Sequence, residues 1–349
     1  MTKSTMMNIT KVSTIYAGTI MGAGFASGQE LTQFFVVYGN MGLAGLFVTS
    51  CLFSWLGILI LEISFKIKAT SYHQLLYYVC GKRIGLLLDL IITLSLFGVL
   101  TIMLAGSGTI FKSAFNLPYV LGLSIMSVSL ILTTFYGMQG ITTANIIITP
   151  LLTITILIIG FYSLAYHEFR LPAIPPQAID LPAPHWLLAS LLYLSYNLVM
   201  STAVLVPLSS SITKPLERIG GSIGGGLLLM LLAGLIIFVV MIHYPQTLDY
   251  EIPMLYIASS QHYLHHTSYV FIFIAAMYTT GLASLYGSAT KLTAVSKLSM
   301  KSSLLLLLSL SLFFSYIGFA DLIAIIFPLF GYGTLWFTYR LLYLSFLAR

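Results

Sequence analysis

The chain has 349 residues, of which 58% are hydrophobic and only 7% charged, and its mean hydropathy is +1.00. A soluble domain carries about a quarter charged residues because its surface faces water, so this composition excludes a soluble globular protein. The formal net charge of +6 does not indicate nucleic-acid binding, because the basic residues lie in short segments between long apolar runs.

The apolar runs predict an all-α integral membrane protein with ten transmembrane helices, since a helix needs roughly 20 mostly apolar residues to cross a bilayer. The predicted spans lie at about 12–37, 41–65, 84–111, 119–136, 141–166, 185–208, 218–243, 267–290, 303–318 and 321–343. Residues 244–266, between the seventh and eighth spans, are too polar to cross. Their middle, 253–260, is predicted to form a short helix on the outer face.

The distribution of positive charge predicts the orientation of these spans. With the N-terminus in the cytoplasm, all but two of the 15 lysines and arginines fall on the cytoplasmic side. The exceptions are Lys112 and Arg170. Because cytoplasmic loops carry the excess of lysine and arginine, both termini are expected to be cytoplasmic in a multi-pass protein of the cell (inner) membrane.

Ten spans divide into two halves of five, and an odd number per half requires the second half to run opposite to the first. The predicted single transmembrane domain therefore has a first five-helix repeat at 12–166, a proline-rich outer linker at 167–184 and an inverted second repeat at 185–345.

The first span contains glycines at mid-membrane depth, among them Gly18, Gly22 and Gly24, followed by Gln29 and Glu30. Each glycine lowers helix propensity by about 1 kcal/mol relative to alanine, so the pattern predicts an interrupted helix. The alternative is close helix packing through small residues.

The sixth span holds the corresponding position in the second half. Asn197, Ser201 and Thr202 lie near its centre and Pro207 lies in its inner half, so a second interruption is predicted there. Matching breaks in the two halves indicate a transporter binding site, because unwound backbone must face a ligand, an ion or water. The glycine run 220–226 lacks a Gly-Lys-Ser/Thr ending and is interpreted as helix packing.

Glu30 is the only acidic residue deep within a predicted span, and an ionisable residue at that depth predicts a function. Helical spacing would place it about 9 Å above Gly24. With Gln29, it is a candidate for proton coupling, for gating an outer vestibule or for binding a cationic part of a substrate. A solvated acid lining an outward cavity is the alternative.

The string Gly22-Ala-Gly-Phe-Ala-Ser-Gly-Gln-Glu30 resembles the signature of the YkvI-type membrane proteins, which are grouped as permeases with the amino acid–polyamine–organocation (APC) superfamily. This resemblance extends over essentially the whole chain. It implies the LeuT-type fold, a 5+5 inverted repeat with helices 1 and 6 interrupted, and a transport role.

The resemblance also implies a sodium site. Sodium-coupled relatives have the spacing A-x-x-[ST]-[ST] in the eighth span, and Ala276-Met-Tyr-Thr279-Thr280 matches it, with Gly18 and Met21 at the positions that supply backbone carbonyls. Such an oxygen set suits a hard cation. Alternatively, the two hydroxyls bond back to their own helix.

The sequence thus predicts a secondary active transporter, not an enzyme, that moves a small organic solute such as an amino acid by alternating access. Gly22, Ala23, Gly24 and Phe25 are the expected substrate contacts on the first span, and Asn197, Ser201 and Thr202 those on the sixth. Sodium is the expected coupling ion, and proton coupling through Glu30 is the alternative, as is a non-transporting sensor or scaffold. The lipid bilayer and the solute are the expected partners, with no nucleic acid, no cofactor and no metal beyond sodium.

Overall fold

The computed structural model describes residues 3–136, 139–166 and 181–347, and these residues are almost entirely helical. The helices in chain order are α1 (Lys3–Ile20), α2 (Ala23–Ser27), α3 (Gln29–Phe34), α4 (Asn40–Lys66), α5 (Tyr72–Phe115), α6 (Tyr119–Tyr136), α7 (Gln139–Tyr166), α8 (Trp186–Ser209), α9 (Pro215–Ile242), α10 (Pro253–Ser259), α11 (Tyr263–Val295), α12 (Met300–Ser315) and α13 (Phe319–Leu347). Short 3-10 turns cover Val36–Tyr38 and Gln246–Asp249.

Seven helices in the described part of the chain are long and apolar enough to cross a membrane: α4, α5, α7, α8, α9, α11 and α13. The remaining predicted spans coincide with the shorter apolar helices α6 and α12 and with the segment from α1 to α3. The short helix predicted at 253–260 is α10. Most of the predicted proline-rich linker, 167–180, lies outside the described residues.

One predicted span boundary is wrong. Helix α1 begins at Lys3, well before residue 12, because its polar first turns pack on the start of α9, where the Asn8 amide donates to the Glu217 carboxylate at 2.9 Å. Within α5, Gly81 is non-helical (φ +77°, ψ 163°), a conformation that favours glycine, so it separates a first stretch from Tyr72 from a second stretch that starts close to the predicted boundary at 84.

The predicted interruption of the sixth span is not present, because α8 is one continuous helix from Trp186 to Ser209. Pro207 lies near its end, so the missing N–H removes a single bond to the preceding turn. The Ser201 and Thr202 hydroxyls donate to Leu198 O and Val199 O of the same helix. Polar side chains that bond to their own helix do not require it to unwind.

The glycine run of α9 packs closely against α1 and α4, as the sequence predicts. A Cβ at Gly221 would collide with the Val12 side chain, and one at Gly225 would lie 2.7 Å from Tyr16 Cδ1. A Cβ at Gly226 would meet Ser54 of α4. Helix α4 also packs on α8, so α1, α4, α8 and α9 form one group of helices, while α11 packs on α5 and α7.

Candidate functional site

The first span is broken between α1 and α2, at Met21 and Gly22. Gly22 is extended (φ −84°, ψ −177°), and its N–H bonds Ile20 O at 2.8 Å. No described atom lies within 4 Å of the position that a Cβ on Gly22 would occupy. The chain therefore leaves helical geometry beside open space, which close helix packing at Gly22 does not explain.

A second turn follows at Gly28, whose φ of +78° ends α2 and starts α3. This left-handed residue folds Glu30 back over α2, so that Glu30 Oε2 lies 2.7 Å from where a Cβ on Gly24 would be. The Glu30 carboxyl group thus reaches back to a residue that helical spacing places about 9 Å below it along the span. Glu30 and the chain break belong to one site.

The Glu30 side chain is buried, with 4% of the residue exposed. The Tyr196 hydroxyl of α8 donates a hydrogen bond to Glu30 Oε1, and the Asn197 amide lies beside the same carboxyl group. The Phe327 ring of α13 stacks on Tyr196 with 5.0 Å between ring centroids and 15° between planes. Three separate helices thus converge on one carboxyl group.

Aromatic rings surround this carboxyl group. Phe34 and Tyr193 pack on Tyr196 with centroid distances of 5.8 and 5.7 Å. Among the residues that the structure describes, no lysine, arginine or histidine forms an ion pair with Glu30. A buried carboxylate without a cationic partner is strongly disfavoured, so this group requires a proton or a bound cation.

The predicted substrate-binding residues are only partly brought together. Gly24 contacts the Glu30 site and Asn197 lies beside it, with its amide also donating to Tyr193 O at 3.1 Å. Ala23 and Phe25 are buried in α2, and Gln29 is partly exposed. Ser201 and Thr202 are fully buried and bond within α8.

The residues of the predicted sodium motif lie on α1, in the break and on α11. Met21, Ala276 and Thr279 are buried, Gly18 and Thr280 are partly buried, and the Thr279 hydroxyl donates to Ala276 O at 3.1 Å. Helix α11 packs on the first span through α2, where the Tyr269 hydroxyl donates to Ala26 O at 3.0 Å. Carbonyl and hydroxyl oxygens fit a hard cation in type.

Sequence reasoning missed Tyr196 and Phe327. A signal for Tyr196 was available, since it directly precedes Asn197 in the span that was already a candidate. Phe327 precedes Pro328 within an otherwise apolar span, and nothing in its spacing indicates the site.

No family model matches the sequence. The chain is 31% identical over 333 residues to the uncharacterized membrane protein YkvI of Bacillus subtilis (strain 168), covering 94% of this chain and 93% of that protein. It is 28% identical over 346 residues to the uncharacterized protein YyaD of the same strain, covering 95% of each.

Solved structures of transporters share the fold. MhsT in complex with L-phenylalanine superimposes with a TM-score of 0.62 at 14% identity, covering 96% of this chain and 97% of that one. Inward-facing Mhp1 gives a TM-score of 0.60 at 16% identity, covering 88% and 69%. A Na⁺-coupled sialic acid symporter gives 0.51 at 15%, covering 90% and 79%. These neighbours have the LeuT fold, so the protein has the LeuT-type transporter fold. Because the 31% identity to YkvI extends over nearly the whole of both chains, the protein belongs to the YkvI family of membrane proteins.

Proposed function

We propose that the protein is a secondary active transporter of a small organic solute, an amino acid or related zwitterion, and a member of the APC superfamily. The observation that carries this proposal is a buried, ionisable Glu30 folded against a break in a membrane-spanning segment. Ionisable groups at such depth and broken helices at the bundle centre mark the substrate and ion sites of transporters.

The packing of the helices supports ten spans in two inverted repeats, 12–166 and 185–345. In two inverted repeats, the first span is equivalent to the sixth and the second span to the seventh. Helix α1 of the first span packs on α9 of the seventh, and α8 of the sixth span packs on α4 of the second. These two contacts are therefore equivalent in the two repeats. Likewise α5 packs on α6 as α11 packs on α12, and α7 packs on α11 as α13 packs on α5.

Alternating access follows from this arrangement. The group α1–α4, α8 and α9 rocks against the group α5, α6, α11 and α12, with the chain break between them. Gly22, Ala23, Gly24 and Phe25 offer backbone groups to the solute from one side, and Asn197 faces it from α8. Ser201 and Thr202 contribute if their hydroxyls turn from the α8 carbonyls. MhsT, which has this fold, was solved with L-phenylalanine bound, which makes an amino acid a suitable first solute to test.

Two coupling ions are supported by different observations. The Ala276-x-x-Thr279-Thr280 spacing, with Gly18 and Met21, supports sodium. The burial of Glu30 under Tyr196 supports a proton.

Replacing Thr279 and Thr280 together with valine tests the sodium site. Valine keeps the volume and removes two oxygen ligands. Sodium at a hundredfold excess over its Kd would stabilise the protein by about 2.7 kcal/mol, and this gain should vanish in the double variant. The measurement is the melting temperature in NaCl against KCl, with Thr290→Val, an exposed site on the same helix, as the control. An unchanged sodium response would move the coupling to Glu30.

The predicted orientation places both termini in the cytoplasm of a cell-membrane protein. In a background where Cys51 and Cys80 are alanine, cysteine at the exposed Ser259 should react with an impermeant maleimide on intact cells. Cysteine at the exposed Thr70 should react only after permeabilisation. Labelling of Thr70→Cys in intact cells contradicts this orientation.

Uptake into proteoliposomes tests the transport function itself. Vesicles containing the purified protein should accumulate a labelled amino acid against its gradient when a sodium gradient, or a proton gradient of either direction, is imposed. Dissipating both gradients should abolish accumulation. Equal uptake in vesicles without protein, across a panel of amino acids and related zwitterions, would overturn the proposal.

A further inference from the structure

The carboxyl group of Glu30 is poised to bind something other than its protein neighbours. Oε1 accepts from Tyr196, while Oε2 points to α2 and fills the space that a side chain at residue 24 would take. Its electrostatic partners are Tyr193, Tyr196 and Asn197 of α8, and none of these carries a positive charge. The described part of the chain therefore supplies no counter-charge to the ionised form.

The surroundings of Glu30 favour an organic cation over a metal ion. Calcium and magnesium take at least six oxygen ligands, and one carboxylate among phenyl and phenol rings does not provide them. Aromatic faces attract ammonium groups instead, most strongly where water is excluded. Next to the carboxyl group, Tyr196 stacks on Phe327 and also packs against Phe34 and Tyr193, so the surroundings of Glu30 are rich in aromatic rings.

Open space lies at the chain break, close in sequence to the glycine that Glu30 covers. Gly22 is two residues from Gly24, and no described atom occupies the 4 Å around its missing side chain. Gly24 itself is covered by Glu30 Oε2 and by Phe327, whose Cε2 lies 3.4 Å from the position of a Cβ. A ligand held by its ammonium at Oε2 would therefore extend along α2 toward the break.

From this geometry we propose that Glu30, flanked by Tyr196 and Phe327, is the subsite for a substrate ammonium group, which enters by displacing a proton from Glu30. The exchange is balanced: the neutral carboxylic acid plus R–NH₃⁺ gives the carboxylate–ammonium pair plus one released proton. The inference rests on the proposed transport function and narrows its substrate to amines and amino acids. Under this inference the Glu30 carboxyl group holds either a proton or the ammonium group of the substrate, never both. Transport would then exchange substrate for a proton.

Matched pairs of amines and hydroxyl analogues test the subsite. The probes are putrescine against butane-1,4-diol, 2-phenylethylamine against 2-phenylethanol, and L-phenylalanine against L-3-phenyllactate, added to purified full-length protein. At least one amine should raise the melting temperature, and its hydroxyl analogue should not. Glu30→Gln should weaken the binding of that amine by about 100-fold, a loss typical of removing one partner of a buried charge pair. Asp249→Asn, an exposed acid, should leave it unchanged.

Titration calorimetry in two buffers with different ionisation enthalpies measures the proton. In the pH range where Glu30 is protonated, each amine bound should release about one proton, and affinity should fall about tenfold for each unit that the pH drops. Should Glu30→Gln fail to fold, Glu30→Asp serves in its place. It retains the acid but withdraws it by one methylene, so affinity should fall while proton release persists.

Three outcomes contradict the inference: hydroxyl analogues that bind as well as their amines, amines that bind Glu30→Gln with unchanged affinity, or no stabilisation by any of the amines. Transport is scored separately in proteoliposomes. A solute that accumulates independently of Glu30 and of an ammonium group overturns the subsite and leaves the transport function standing. If amines bind through Glu30 and no solute of the panel is transported, the subsite stands and the transport function is overturned.

Discussion

Gly225→Ala is expected to lower the free energy of unfolding by about 1–3 kcal/mol, the usual cost of adding volume to a packed core. The new Cβ would lie 2.7 Å from Tyr16 Cδ1 and 3.1 Å from Tyr16 Cβ. Tyr16 has little room to move, because Gly57 of α4 lies against the far end of its ring, where a Cβ would be 2.7 Å from Cε1, and its hydroxyl donates to Phe53 O at 2.9 Å. Alanine favours a helix by about 1 kcal/mol over glycine, which offsets only part of this loss.

Thermal or denaturant unfolding of the purified protein measures the effect. Gly234→Ala on the same helix is the matched control, because its Cβ would make only an ordinary contact, 3.6 Å from Leu46 Cδ2. That variant should be as stable as the parent or more stable. If both variants are equally stable, α1 and α9 do not pack as closely as these glycines indicate.

The positions of the helices could be predicted from the sequence because lipid leaves no alternative for an apolar run of this length. Hydropathy did not predict the start of α1, because Thr5 and Asn8 are polar. Contacts with Lys214, which precedes α9, and with Glu217 in its first turn stabilise this part of the helix. The contacting residues are more than 200 positions apart, and such contacts produce no periodic pattern of apolar residues from which the helix start could be predicted.

The candidate site could be predicted only in part. The glycines and Glu30 were visible as polar and helix-breaking residues in an apolar span, but their distance depended on one left-handed residue, Gly28. Several glycines in the same stretch were equally able to adopt that conformation. In α8, Pro207 and the polar residues indicated a break, whereas Ser201 and Thr202 satisfy their hydroxyls within an intact helix.

Gly22→Ala and Gly24→Ala are expected to weaken solute binding while leaving the protein folded, each for a different reason. At residue 24, the Cβ would lie 2.7 Å from Glu30 Oε2, so the carboxyl group must swing away from α2. The end of a glutamate side chain moves at little cost, so we expect unfolding free energy to change by about 1 kcal/mol or less, within the range of small repacking changes. Affinity should fall by at least about tenfold, which corresponds to the loss of about 1.4 kcal/mol of binding.

At residue 22, alanine meets no described atom within 4 Å, and its extended backbone is one that any residue adopts. A packing role for this glycine predicts lost stability with intact affinity. A binding role predicts the reverse, because the methyl group then occupies space that the solute needs. Melting temperature and affinity for the solute that binds the parent protein, measured on the same preparation of each variant, separate the two. One substitution narrows the open space at Gly22, and the other displaces the buried carboxyl group of Glu30. Unchanged affinity in both variants would therefore show that the break at Met21 and Gly22 lies outside the binding site.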